Sequence, residues 1–128
     1  MIATITDETL SLEKICDEIM GVDSKIRFVG IINEMGRLLA GEMRPGTKPL
    51  IEEGARQMLF MEVALRIRMR HEYDSLLGPV NFTISHRDKV TVMSIPYKNY
   101  LLYVSAETDT DLCTVPYKIL EIIRRPTP

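Results

Sequence analysis

Along this chain the spacing of apolar residues switches between helical and strand periods, and each switch predicts an element. Leu12, Ile15, Cys16 and Ile19 recur at i, i+3, i+4 and i+7, one face of an amphipathic helix. Thr6, Asp7 and Thr9 are placed to cap its start and Gly21 to close it. Ile26, Phe28, Val29, Ile31 and Ile32 then put apolar groups on both sides of a strand, which predicts a central strand covered on both faces. Residues 33–36 (Asn-Glu-Met-Gly) read as a turn, and Leu38, Leu39 and Ala40 begin the returning strand of a hairpin. A helix is predicted over 50–77. Pro49 stands at its start, Glu52 and Glu53 meet the positive end of its dipole, and Gly78-Pro79 ends it.

Three strands follow. In the first, Val80, Phe82 and Ile84 alternate with Asn81, Thr83 and Ser85; the others run through Val90–Ile95 and Tyr100–Ala106. A last helix carries Ile119, Leu120, Ile122 and Ile123, with Thr114 as its cap, Pro116 in its first turn and Arg124 and Arg125 at its end. The order α-β-β-α-β-β-β-α predicts an α+β fold: one five-stranded antiparallel sheet covered by helices, in a single domain spanning residues 1–128.

Projected at ~100° per residue, the long helix has two apolar stripes. Ile51, Ala55, Met58, Leu65, Met69, Tyr73 and Leu76 run its full length and are expected to face the chain's own sheet. Phe60, Val63, Ala64 and Ile67 point nearly the opposite way and fill only its middle. One sheet buries one side of a helix, so the second stripe needs another cover. Either a loop or the N-terminal segment supplies it, or a second copy does across a two-fold axis; a homodimer anchored on Phe60 is the favoured expectation. His71 falls beside that stripe. Glu62 interrupts the first stripe and has Arg66 at the ion-pairing i+4 position. The strand over 80–86 has a polar face (Asn81, Thr83, Ser85) and is a candidate sheet edge whose backbone would pair with a second copy. The predicted interface is therefore Phe60, Val63, Ala64, Ile67, His71, Asn81, Thr83 and Ser85.

Composition narrows the classes without naming one. The 128 residues are 45% hydrophobic and 27% charged, which suits a folded domain rather than a disordered chain. A formal net charge of -2 offers no basic field for nucleic acid or an anionic membrane. No apolar run approaches the ~20 residues of a membrane span, and the opening MIATITDETL lacks the pattern of a secretory signal. Cys16 and Cys113 form no CxxC pair; a reduced, cytoplasmic setting with buried thiols is expected.

Candidate chemistry is thin. The stretch Gly41-Glu-Met-Arg-Pro-Gly46-Thr47-Lys48 resembles a phosphate loop, but Lys must directly follow the second Gly and precede Ser or Thr; here the order is transposed. Pro45 also removes an amide donor. The stretch is therefore read as a strand-to-helix connection turned by its glycines. His71 and His86 have no ligand-spaced companions, so no metal is expected. No cysteine or serine stands in a nucleophile motif. Arg66, Arg68 and Arg70 spread around the helix rather than forming one patch.

One resemblance adds to this. The stretch NFTISHRDKVTVMSIPYKNYLLYVSAE, with its closest likeness in Ile95 to Leu102, resembles the end of roadblock-type dynein light chains. The hairpin around Gly36 and the order of elements are similar over about residues 10–124. The full chain also resembles a family of small proteins from ammonia-oxidising archaea. The roadblock resemblance implies a dimer joined by its long helices and edge strands, no catalytic residues and no cofactor. It further implies a partner among small Ras-like GTPases or a scaffold role. The expectation is thus a non-enzymatic regulator or scaffold that binds neither nucleic acid nor membrane. The alternative is a small-ligand sensor with a pocket between sheet and helices.

Overall fold

The computed structural model describes residues 7–126. Helix α1 (Asp7–Met20) leads into strands β1 (Ile26–Ile32) and β2 (Leu38–Met43), then helix α2 (Glu53–Arg70). A 3-10 turn (His71–Tyr73) and the short helix α3 (Asp74–Leu77) lead on to β3 (Thr83–His86), β4 (Thr91–Tyr97), β5 (Tyr100–Ala106) and helix α4 (Val115–Ile123). The five strands form one antiparallel sheet in the order β2-β1-β5-β4-β3. The α+β architecture and the predicted element order are those observed, and β1 is interior, as its two-sided apolar pattern requires.

Cross-strand register sorts the side chains into two cores. On one face Val29, Val104 and Met93 form one cross-strand row and Ile31, Leu102 and Ile95 another. Cys16 and Ile19 of α1 and Val115 and Ile119 of α4 close over these rows. On the other face Phe28, Ile32, Leu101, Tyr103 and Val92 meet Phe60 and Ala64 of α2. Two helices thus cover one side and α2 alone covers the other.

On the opposite face Gly41, Gly30, Tyr103 and Ser94 share one cross-strand row. The Phe28 ring folds over both glycines; a Cβ at Gly30 would stand 2.7 Å from it. The β1–β2 turn approaches α2 just as closely. Gly36 has φ +84, its missing Cβ would meet the Met61 Cα at 2.7 Å, and its carbonyl accepts a hydrogen bond from Gln57 Nε2 at 3.1 Å.

Local boundaries differ from expectation where turn chemistry intervenes. Helix α2 starts at Glu53 rather than at 50, because Glu52 is extended (ψ 164). The helical path breaks at Tyr73 (φ -103, ψ 4) before Gly78 closes α3 with its N–H on the Asp74 carbonyl. Strand β3 begins at Thr83 rather than at 80. Gly41 lies inside β2 rather than in a loop, whereas Gly46 does turn the chain, at φ +84. Thr114 occupies the α4 cap position, but its hydroxyl donates to Asp111 Oδ2 at 2.8 Å instead of capping. Thr6, a predicted cap of α1, lies outside the described residues.

Candidate functional site

The stripes of α2 are reversed relative to expectation. Phe60 is 1% exposed and Ala64 5%, with Val63 and Ile67 half-buried beside them, all against the chain's own sheet. Phe60 packs on Phe28 (ring centroids 6.2 Å apart) and edge-on to Tyr103 (4.9 Å). The longer stripe faces outward: Met58 is 67% exposed, Leu65 55% and Met69 65%, with Ile51, Tyr73 and Leu76 also exposed; Met61, not counted in that stripe, is exposed beside it. Phe60, the one bulky ring on α2, fits against the Phe28 and Tyr103 rings, and the small Ala64 one turn on lets the helix approach the sheet. Stripe length does not decide the orientation; shape does.

Helix α2 is too narrow for the face it covers. Beside it lies an open groove of about 990 Å³, whose lining includes Phe28, Met43, Val90, Val92 and Tyr103 from the sheet side and Met58, Met61 and Leu65 from the helix. Arg56 lies over the Phe28 and Phe60 rings, 5.3 and 5.8 Å from their centroids. Burial pushes the Tyr103 phenol up to about 12, while the Arg87 and Arg56 charges pull the other way.

Strand β3 is one of the two sheet edges, paired on one side to β4. Two of the polar residues predicted for this edge are engaged within the chain. Arg70 donates to Thr83 Oγ1 at 2.7 Å, and Arg124 donates to Asn81 Oδ1 at 2.8 Å. Ser85 lines the groove instead. His71 is exposed in the 3-10 turn, beside a small cleft that also contains Asp74 and Pro96. Of the predicted interface residues, Phe60 and Ala64 thus face inward, while His71, Asn81 and Ser85 are exposed.

The remaining chemistry is structural. In the loop after β2, Arg44 turns inward: its guanidinium donates to the carbonyls of Ile26 (2.6 Å), Met20 (2.7 Å) and Asp23 (2.8 Å). The resemblance to a phosphate loop thus ends at a tether joining α1, β1 and β2. Burial, then the nearby carboxylates of Glu42, Asp17 and Glu13, push the Cys16 thiol up to about 12, where it is no nucleophile at neutral pH. Cys113, expected to be buried, is exposed. Glu62 and Arg66 form the predicted i, i+4 ion pair on the exposed side of α2. Among the described residues no cluster of three or more His, Cys, Asp or Glu could hold a metal ion, and no helix is long and apolar enough to cross a membrane.

This arrangement, a five-stranded antiparallel sheet with one long helix on one face and two on the other, is the roadblock-type fold, and solved structures share it. The chain is similar to a Roadblock/LC7 domain from Streptomyces avermitilis (8% identity, TM-score 0.68, covering 88% of this chain and 92% of that one). It is similar to the gliding protein MglB from Thermus thermophilus (13% identity, TM-score 0.73, covering 95% and 92%). It is also similar to an MglB with tetrameric arrangement (13% identity, TM-score 0.68, covering 95% and 94%). By sequence, residues 8–126 match a family of unknown function (DUF6659), and the chain belongs to that family. A search of the curated proteins finds no match.

Proposed function

We propose that this chain is a non-enzymatic regulatory or scaffold protein that works as a homodimer in the cytoplasm. The observation that carries the reading is the exposed stripe Met58, Met61, Leu65 and Met69 beside a half-covered sheet face. A contiguous apolar surface of this kind on a protomer marks an interaction site, and methionines adapt to a partner's shape. A second copy would lay its own stripe against the exposed face of α2 and align its β3 edge with the first, the self-complementary contact that two-fold symmetry requires. An MglB similar in fold has a tetrameric arrangement. In this reading Phe60 and Ala64 support the interface from beneath, Val63, Ile67 and His71 lie at its margin, and the β3 segment with Asn81, Thr83 and Ser85 contributes through its backbone. A small Ras-like GTPase as partner rests on the roadblock resemblance.

Light scattering tests the dimer. The wild type is expected at twice the protomer mass, and Met61→Glu or Leu65→Glu at the protomer mass with an unchanged far-ultraviolet spectrum. A wild type that is monomeric at the highest soluble concentration rejects the homodimer. Capture of a GTP-binding protein by the wild type, lost in the Leu65→Glu variant, would tie that partner to the dimer.

A further inference from the structure

We propose that the groove beside α2 binds a small organic carboxylate with an apolar body, its head held by Arg56 and Arg87 and its body lying on Val90 and Val92. The groove's volume of about 990 Å³ falls at the upper end of small-molecule sites, which combine apolar walls with a few convergent polar groups. Here the polar groups come from three separate elements: Arg56 from α2, Arg87 from the β3–β4 turn and the Tyr103 hydroxyl from β5.

Charge decides the class of occupant. Among the described residues, Arg56, Arg87 and Lys89 form no ion pair, although all three line the groove. Of the two glutamates in the lining, Glu62 is already tied to Arg66, and Glu34 belongs to the β1–β2 turn. This is a local cationic site on a chain whose formal net charge is -2. A second copy does not neutralise it through α2, since that helix carries Arg56, Arg66, Arg68 and Arg70 against Glu53 and Glu62. Its apolar stripe would pack on the outer face of α2, which leaves the groove and its cationic groups for an anion.

The head's chemistry follows from the donors. The Arg56 guanidinium lies over the Phe28 and Phe60 rings, a cation–π contact that holds it at the groove without using its N–H groups. A planar two-oxygen acceptor matches the guanidinium fork, and the Tyr103 phenol, protonated at neutral pH, lines the same groove as a further donor. The site lies within one protomer, so it does not depend on dimerisation.

Calorimetric titration of the full chain with sodium decanoate tests the proposal, with decanol and decyltrimethylammonium as controls. Saturable binding of decanoate is expected, together with a loss of about tenfold or more in affinity for Arg56→Gln/Arg87→Gln, the size expected from removing charge-assisted hydrogen bonds. A thermal melt verifies that the double variant is folded. Arg87→Gln alone, at an exposed position, gives a second reading should Arg56→Gln disturb the Phe28 stack. The proposal is overturned by absence of saturable decanoate binding, by equal affinity for decanol or decyltrimethylammonium, or by wild-type affinity in a folded arginine variant. Light scattering on the same samples reads the dimer separately: a monomer that binds decanoate rejects only the homodimer.

Discussion

Single residues in this protein act through atoms that sequence patterns do not describe. Arg44 sits in what reads as a loop motif, yet it satisfies carbonyls at the end of α1 and the start of β1. Hydrogen bonds from a charged donor contribute about 1.5–3 kcal/mol in such settings. Arg44→Ala is therefore expected to lower stability by about 2–3 kcal/mol in chemical denaturation, and a loss under ~0.5 kcal/mol would show the tether to be idle. Glu42 makes a pH-dependent contribution. Partial burial raises its carboxyl above the ordinary range, and a hydrogen bond and charge repulsion from Asp17 raise it further, Arg44 opposing. The fold thus favours protonated Glu42: its contribution is full below the unfolded pKa and is lost as pH rises through the higher folded one. Glu42→Gln should accordingly raise the melting temperature near neutral pH, and the gain should vanish below about pH 4. A gain that persists in acid would point to packing instead of charge.

At the scale of elements, α2 shows how far periodicity reaches. Its two stripes are visible in the sequence because helical spacing separates them by angle. Which stripe turns inward depends on the row Gly41, Gly30, Tyr103 and Ser94, assembled from three strand registers. That row, and the approach of the Gly36 turn to Met61, place the helix. Two substitutions separate the faces. Phe60→Ala should cost about 3–5 kcal/mol, as for other buried rings, whereas Met61→Ala should leave the stability of an isolated protomer nearly unchanged. Gly36→Ala should cost at least ~1–3 kcal/mol through its positive φ alone, with the Met61 contact adding to this. Equilibrium unfolding by urea measures all three, and a Phe60→Ala protein as stable as Met61→Ala would contradict the orientation of α2. Boundaries were less legible than elements, because the extended Glu52 and the break at Tyr73 are choices of backbone angle that several residue types permit.

The whole molecule is a three-layer arrangement with unequal covers: α1 and α4 on one face, α2 on the other. That imbalance leaves the groove and the outer stripe of α2 open, and it makes self-association a property of the assembled protomer rather than of any one segment. If the homodimer forms, folding and association are linked, and the apparent melting temperature should rise with protein concentration. Leu65→Glu should abolish that dependence, as followed by circular dichroism over a dilution series; a wild type whose midpoint is independent of concentration counts against the dimer.

Local spacing was enough to read the order of elements, the antiparallel hairpins, the interior position of β1 and the presence of two apolar faces on one helix. These follow from local periods and turn residues, which act over a few positions. The buried face of the helix, the tethering role of Arg44 and the meeting of Arg56, Arg87 and Tyr103 at one groove emerge from the folded chain alone. Each of these depends on residues far apart in the chain being set side by side by strand register and by the shape of the sheet surface. Hydrophobic spacing carries the angle of a side chain around its own element, but not the relief of the surface it will meet.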